Sequence, residues 1–137
     1  MKKSISMIIA ILVFSALVLS ACGGGSTADT PKVPAEYAGK TNPLGSDAAA
    51  AGKEIYVVQC ASCHGESGKG DGPAGQALVP PAANLVQTTG EFGDDFIFYR
   101  ISEGGAMEPY NSSMPAFKNV LSEEEIWQVI TYIDSLK

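Results

Sequence analysis

Cys60-Ala61-Ser62-Cys63-His64 reads C-x-x-C-H, the pattern at which a haem is attached covalently to a protein chain. The spacing has a chemical reason. Two thiols three positions apart can each add across one of a haem's two vinyl groups, and the next residue then presents an imidazole to the iron. Cys60 and Cys63 are therefore candidate thioether attachments for one haem c, and His64 is the candidate proximal ligand. Two other chemistries use paired cysteines. A thioredoxin-like dithiol would sit in a βαβ setting, which is not evident in this sequence. A structural zinc site would need further Cys or His, and the chain offers only Cys22, with no second histidine.

Toward the N-terminus, Met1-Lys2-Lys3 is a short basic segment, followed from Ile5 to Leu19 by an apolar run interrupted only by Ser6 and Ser15. That run is too short and wrongly flanked for a comfortable transmembrane span and reads as a secretory signal. It ends in Leu19-Ser20-Ala21-Cys22, which resembles the lipobox of bacterial lipoprotein precursors. There the cysteine takes a diacylglyceryl group, and cleavage before it leaves a lipidated N-terminus. An ordinary cleavage site with an incidental cysteine, or an uncleaved anchor, are the alternatives. Small residues directly before a cysteine at the end of the apolar run favour the lipobox. The expected organisation is a signal peptide over 1–21, lipidated Cys22 and a linker over 22–45, and one domain over 46–137. The expected location is the extracytoplasmic face of the cell membrane, held by lipid.

With Cys22 carrying lipid and Cys60 and Cys63 carrying haem, no disulfide is expected despite an oxidising compartment. The chain has nine basic and fifteen acidic residues; loss of Lys2 and Lys3 with the signal leaves seven against fifteen, a net charge of −8. That balance argues against nucleic acid or an anionic lipid surface as partner, and for docking onto basic patches of other proteins. A generally solvated acidic surface is the plain alternative.

From Gly23 to Gly45 the chain is rich in Gly, Ser, Thr, Pro, Ala and Lys and has no apolar periodicity, so it reads as a tether. At about 5–6 Å × √n its root-mean-square reach would be roughly 25–30 Å. Tyr37 is the residue of this stretch that could touch the domain.

Three helices are predicted beyond it. Ser46 is a candidate N-cap for one from Asp47 to about Gln59, with Ala51, Ile55 and Val58 at helical spacing, which delivers the chain to Cys60. The segment Gly65 to Pro73 is too dense in glycine for helix or strand and reads as a loop around one haem edge. Pro80-Pro81 then makes an extended corner, with Leu78, Val79 and Leu85 as candidate haem-facing side chains. A second helix is predicted over Asp94 to Glu103, stopped by Gly104-Gly105. The last is announced by Ser122 and Glu125, a capping box, with Ile126, Val129, Ile130, Ile133 and Leu136 as its apolar stripe. The apolar period is helical throughout, so the expected fold is a small all-α domain built around one covalent haem.

On Gly52, Tyr56, Cys60 to Gly65, Gly70-Asp71-Gly72, Met114-Pro115-Ala116-Phe117 and Val129 to Tyr132, the chain resembles a class I c-type cytochrome, specifically the small membrane-anchored lipoprotein cytochromes c of bacteria, over about 47–137. The resemblance implies that the first and last helices cross where a glycine allows close approach, with Gly52, Tyr56, Val129 and Tyr132 as the residues concerned. It implies a proline carbonyl that accepts the proximal imidazole N–H, supplied by Pro80 or Pro81. Plain core packing is the reading preferred for Trp127 and Tyr132. Met114 and Met107 lie in one loop, and a thioether suits a six-coordinate haem iron. Met114 stands in the motif that resembles the family's ligand loop, and Met107 does not, so Met114 is the expected distal ligand and Met107 an apolar loop anchor.

With both axial positions closed by protein, the chemistry left to such a haem is outer-sphere transfer of one electron. The expected function is a monomeric electron carrier, not an enzyme. It would take electrons from a quinol-oxidising complex or dehydrogenase and deliver them to a terminal oxidase, reductase or photosynthetic centre, by protein–protein docking. A haem enzyme or gas sensor in which Met114 dissociates, and a fixed electron-entry subunit of a larger complex, are the alternatives. The long tether favours the carrier over the fixed subunit. The lack of a second histidine argues against peroxidase chemistry.

Overall fold

A computed structural model describes residues 32–137. The secretory signal, the lipid site at Cys22 and the linker as far as residue 31 lie outside the described residues. Among the described residues there are helices and turns and no strand, as the helical periodicity predicts. A 3-10 turn, Ser46–Ala48, leads into α1, Ala49–Gln59. The single turn α2, Ala61–His64, follows directly, then α3, Leu85–Glu91, α4, Asp94–Glu103, and α5, Glu123–Asp134.

The first helix departs from expectation in its start and in its buried face. Ser46 is not an N-cap: Gly45 stands before the 3-10 turn and Ala48 before α1, neither with a side-chain cap bond. The Ala48 N–H reaches the Gly45 carbonyl at 3.1 Å, an i to i+3 bond that tightens the first turn. Of the stripe Ala51, Ile55 and Val58 only Ile55 packs against the core, since Val58 is 76% exposed and Ala51 is exposed as well. What selects the face is the crossing with α5. A Cβ on Gly52 would run into the backbone carbonyl of Gln128, so only glycine lets the two backbones meet. Tyr56, one turn on, is wholly buried, and its ring lies 5.1 Å from that of Tyr132, tilted by 59°.

The second and third predicted helices lie where the sequence places them. The α4 helix ends at Gly104, whose φ of +75° belongs to a glycine stop, with its N–H on the Arg100 carbonyl at 2.9 Å. The α5 helix opens with the Ser122–Glu125 capping box. Between them these two helices supply most of the core: Phe96, Ile97, Phe98 and Ile101 from one, Ile126, Trp127, Val129, Ile130 and Ile133 from the other. Trp127 is buried and stacks on Phe98, ring centroids 4.4 Å apart, which is plain core packing. Fully burying side chains of this size is worth about 1.5–3 kcal/mol each.

Two elements were not predicted. The α3 helix follows the extended corner at Pro80-Pro81, in a stretch for which no element was expected; Asn84 caps it, its side-chain oxygen accepting from the Gln87 N–H. The segment 32–45, expected as the C-terminal part of a tether, packs on the domain instead. Tyr37 lies against Phe98 and Tyr99 and donates its hydroxyl proton to Glu103. The backbone N–H groups of Gly39 and Asn42 donate to Asp95 and Asp94, at the start of α4. The Asn42 amide donates to Thr131 Oγ1 at 2.9 Å and to the Trp127 carbonyl. Val33, Tyr37 and Leu44 pack on the core, so the compact unit starts near residue 31 rather than 46.

Candidate haem site

The α1 helix hands the chain to the C-x-x-C-H turn without a break. The Cys60 N–H donates to Tyr56 O at 2.8 Å, and the N–H groups of Cys63 and His64 donate to Cys60 O at 3.1 and 2.9 Å. One helical turn thus carries all three residues, with the two cysteines at i and i+3 on neighbouring positions of its surface. Both thiols are free and half-buried. Burial, with Cys63 adding, pushes the Cys60 thiol up to about 12. A redox dithiol needs a depressed thiol pKa to furnish its attacking thiolate, so this environment runs against a thioredoxin-like pair. Among the described residues no three His, Cys, Asp or Glu converge on a metal position, which leaves a structural zinc site without its ligands there.

His64 is held by backbone. Its Nδ1 lies 2.9 Å from the carbonyl oxygen of Ala83. A carbonyl can only accept, so Nδ1 carries the proton and Nε2 keeps its lone pair for a metal. Burial lowers the imidazole's pKa and the bond to Ala83 works against that shift. The expectation that Pro80 or Pro81 supplies this carbonyl is therefore corrected to Ala83. The reason lies in the loop's path. The Ala82 N–H donates back to Gly75 O at 3.1 Å and the Leu85 N–H to Gly68 O at 2.6 Å, which leaves both prolines exposed at the tip of the excursion. The returning chain reaches His64 two residues later. Gly70 makes the approach possible: its φ is +78°, and a Cβ there would stand 2.5 Å from the Ala82 carbonyl oxygen.

Of the three side chains expected to face the haem, Leu78 is half-buried, Val79 is 89% exposed, and Leu85 opens α3 and packs on the core. The glycine-rich loop after His64 folds back on the attachment turn, with the Gly70 N–H on His64 O at 2.9 Å and the Ala74 N–H on Ser62 O at 3.0 Å.

The methionine loop runs from Gly104 to Val120 and is pinned at both ends. The Gly105 N–H donates to Met114 O at 2.9 Å, and Phe117 and Lys118 N–H groups donate to Ile101 and Ser102 carbonyls at 3.1 Å each. Met114 is half-buried against the core. Met107 has another engagement: its sulfur lies 3.6 Å from Arg100 Nη1, and that guanidinium covers the Tyr110 ring at 3.5 Å. The Arg100–Tyr110–Met107 cluster, Ala83 and the Tyr37–Glu103–Lys118 contact went unread in the sequence. Only Tyr37 carried a signal, as an aromatic residue in an otherwise small and polar stretch.

Two free thiols on one turn, an imidazole with Nδ1 occupied and Nε2 free, and a half-buried thioether in a pinned loop are the donor set that a covalent haem requires, so the residues present fit the group.

Comparison with known proteins agrees with this geometry. The family model described as cytochrome c matches residues 49–137. The chain is 30% identical over 137 residues to cytochrome c6 of Rippkaea orientalis, covering 97% of this chain and 92% of that one. It is 33% identical over 106 residues to thiosulfate dehydrogenase of Stutzerimonas stutzeri, covering 77% of this chain but 30% of the relative. It is 33% identical over 92 residues to a cbb3-type cytochrome c oxidase subunit of Rhodobacter capsulatus, covering 64% of this chain and 29% of that subunit. The chain thus spans nearly all of the first relative and about a third of the other two. Among solved structures, a chain of the reducing HAO-like protein complex of Kuenenia stuttgartiensis matches with a TM-score of 0.53 and 28% identity, over 69% of this chain and 46% of that one.

Proposed function

The chain belongs to the cytochrome c family and its cofactor is covalent haem c, and on that premise we propose that it is a membrane-anchored, monohaem carrier of single electrons. When bound, haem c supplies an iron that cycles between ferric and ferrous states. Cys60 and Cys63 would hold the group by thioethers, His64 Nε2 would take the proximal position, and Met114 Sδ the distal one. The observation that carries this reading is the bond between His64 Nδ1 and Ala83 O, which fixes the ring, its tautomer and the direction of its free lone pair. Held by His64 and Met114, the iron would offer no position to a substrate, and the chain would act as a carrier rather than as an enzyme in its own right.

The proposed donor is a quinol-oxidising complex or dehydrogenase, and the proposed acceptor a terminal oxidase, reductase or photosynthetic centre. Support comes from relatives that bear the names cytochrome c6 and cbb3-type oxidase subunit, and from an acidic balance, nine basic against fifteen acidic residues in the full chain, that suits docking on basic surfaces. The anchor would be diacylglyceryl on Cys22 after removal of 1–21, with the domain acting as a monomer outside the cytoplasm.

The packing of 32–45 on the domain changes the reach. Only nine residues, 23–31, remain for a tether, and at about 5–6 Å × √n they would span roughly 15–18 Å. That short leash favours a second reading, a fixed electron-entry subunit of one membrane complex, and the oxidase subunits among the relatives fit it too.

Visible spectra of the oxidised and reduced holoprotein, with and without carbon monoxide, test the central proposal. A carrier gives a low-spin, six-coordinate spectrum that carbon monoxide leaves unchanged; ready binding at neutral pH would point to an open-site enzyme or sensor. Fractionation of a Cys22→Ser variant tests the anchor: the expected result is release from the membrane with an unaltered haem spectrum, and retention at high salt would refute lipid on Cys22.

A further inference from the structure

Glu103, the last residue of α4, sits where three parts of the chain meet. Lys118 Nζ reaches its two carboxylate oxygens at 3.0 and 2.7 Å, and the Tyr37 hydroxyl donates to Oε1. Lys118 lies four residues after Met114, and its backbone N–H is already bonded to Ser102 O. On the other side of Glu103, Gly104 packs so closely on the loop that a Cβ there would stand 2.6 Å from Met114 O. One carboxylate therefore ties together the N-terminal segment, the end of α4 and the stretch that follows Met114.

The N-terminal segment is itself anchored, and not by this contact alone. Tyr37 is wedged against Phe98 and Tyr99, and Asn42 bonds to α4 through its backbone N–H and to α5 through its side-chain amide. Opening the methionine loop far enough to withdraw a side chain would pull Lys118 and Glu103 apart, or drag Glu103 from a partner on a rigid segment. We propose that Tyr37 is a positioning residue that acts through Glu103 to latch the Met114 loop, so that the N-terminal segment governs how readily the sixth ligand leaves the iron. The inference rests on the reading of Met114 as distal ligand. It places the control of axial ligation on the segment that continues toward Cys22, the proposed anchor, and not on the haem pocket alone.

The test uses the full-length ferric holoprotein with cyanide as probe, since cyanide binds only after the native sixth ligand leaves, and its rate at saturating concentration reads loop opening. Tyr37→Phe removes one charge-assisted hydrogen bond and nothing else, and is expected to raise that rate up to about fivefold. Glu103→Gln should raise it at least as much, and the double variant should be no faster than Glu103→Gln alone, because the two residues act as a unit. Asn42→Ala, which loosens the same segment without touching Glu103, should leave the rate near wild type. An unchanged rate in Tyr37→Phe overturns the latch, as does an Asn42→Ala variant that speeds up equally, which would mean general loosening. Met114→Ala separates the two readings: if it keeps the far-red sulfur-to-iron band, the ligand assignment fails and the latch with it. If it loses the band while Tyr37→Phe keeps both band and wild-type rate, the latch alone fails.

Discussion

His64 Nδ1 and the carbonyl oxygen of Ala83 stand 2.9 Å apart although nineteen residues separate them in the chain. The contact depends on backbone, so its stability is set by what lets Ala83 approach. A side chain at Gly70 would need a φ of +78° and would press on the Ala82 and Ala83 carbonyls. Gly70→Ala should therefore cost of order 1–3 kcal/mol and loosen the imidazole's hydrogen bond. A less basic proximal imidazole donates less to ferric iron, so the reduction potential should rise. Pro80→Ala and Pro81→Ala should leave the potential close to wild type, since neither carbonyl is the partner. Potentiometric titration of the three variants checks the assignment; a shift in a proline variant with none in Gly70→Ala would return the role to the prolines.

The crossing of α1 and α5 gives a paired prediction about glycine. Gly52→Ala must push the Gln128 carbonyl away, in the best-buried part of the domain, and should destabilise by about 3 kcal/mol or more. Gly90 lies within α3, and a methyl group added there would meet nothing within 4 Å, so Gly90→Ala should be neutral or stabilise by about 0.5–1 kcal/mol through helix propensity. Denaturant unfolding of both variants decides it. Similar losses at the two sites would mean that the crossing is not tight.

These contrasts show what could be read from the sequence. The attachment turn was legible because it is chemically specific, and α4 and α5 because their ends carry local signals: a glycine stop and a capping box. The face of α1 was not legible from periodicity, because the closest contact is made by a residue with no side chain; Gly52 was named only through the family resemblance. The α3 helix is seven residues long and contains Gly90, too short for a periodic signal, although Asn84 before Gln87 is a cap that could have been noticed. The segment 32–45 looks like linker because its attachments are backbone N–H groups and single side chains such as Tyr37 and Asn42, which composition does not register. The proline expectation failed for a related reason: which carbonyl faces His64 is fixed by the loop's return path, and that depends on bonds between Gly75 and Ala82 and between Gly68 and Leu85.

The Tyr37–Glu103 contact should be strongest in the middle of the pH range. Lys118 and then Tyr37 hold the Glu103 carboxyl below its ordinary value of 4.5, so the stability it contributes is full above that value and lost as pH falls through the lower folded pKa. The Glu103 carboxylate raises Tyr37 from 10.0 to about 12, so the hydroxyl's contribution is full below pH 10 and lost as pH rises toward 12. The stability difference between wild type and Tyr37→Phe should be about 1 kcal/mol between these limits and shrink outside them on both sides. Unfolding measured across pH checks this, and a difference that persists undiminished well below pH 4 would show that the hydroxyl's contribution does not depend on an ionised Glu103.

The ligand assignment carries the most functional weight, and the two methionines of the loop give it an internal control. Met107 already has a polar partner in Arg100 Nη1, 3.6 Å from its sulfur, and that guanidinium is stacked on Tyr110. Freeing Met107 for a metal would break up this cluster, whereas Met114 is fixed through its carbonyl, which accepts from the Gly105 N–H and leaves the thioether uninvolved in that bond. Met114→Ala should abolish the weak far-red band of the oxidised protein, lower the potential because a thioether favours ferrous iron, and allow carbon monoxide to bind the reduced form. Met107→Ala should leave all three properties nearly unchanged and instead expose Tyr110 and Arg100, at a cost of about 1–2 kcal/mol in stability. If Met107→Ala removes the band and Met114→Ala does not, the assignment is reversed, and the Arg100 contact must then break when haem is attached.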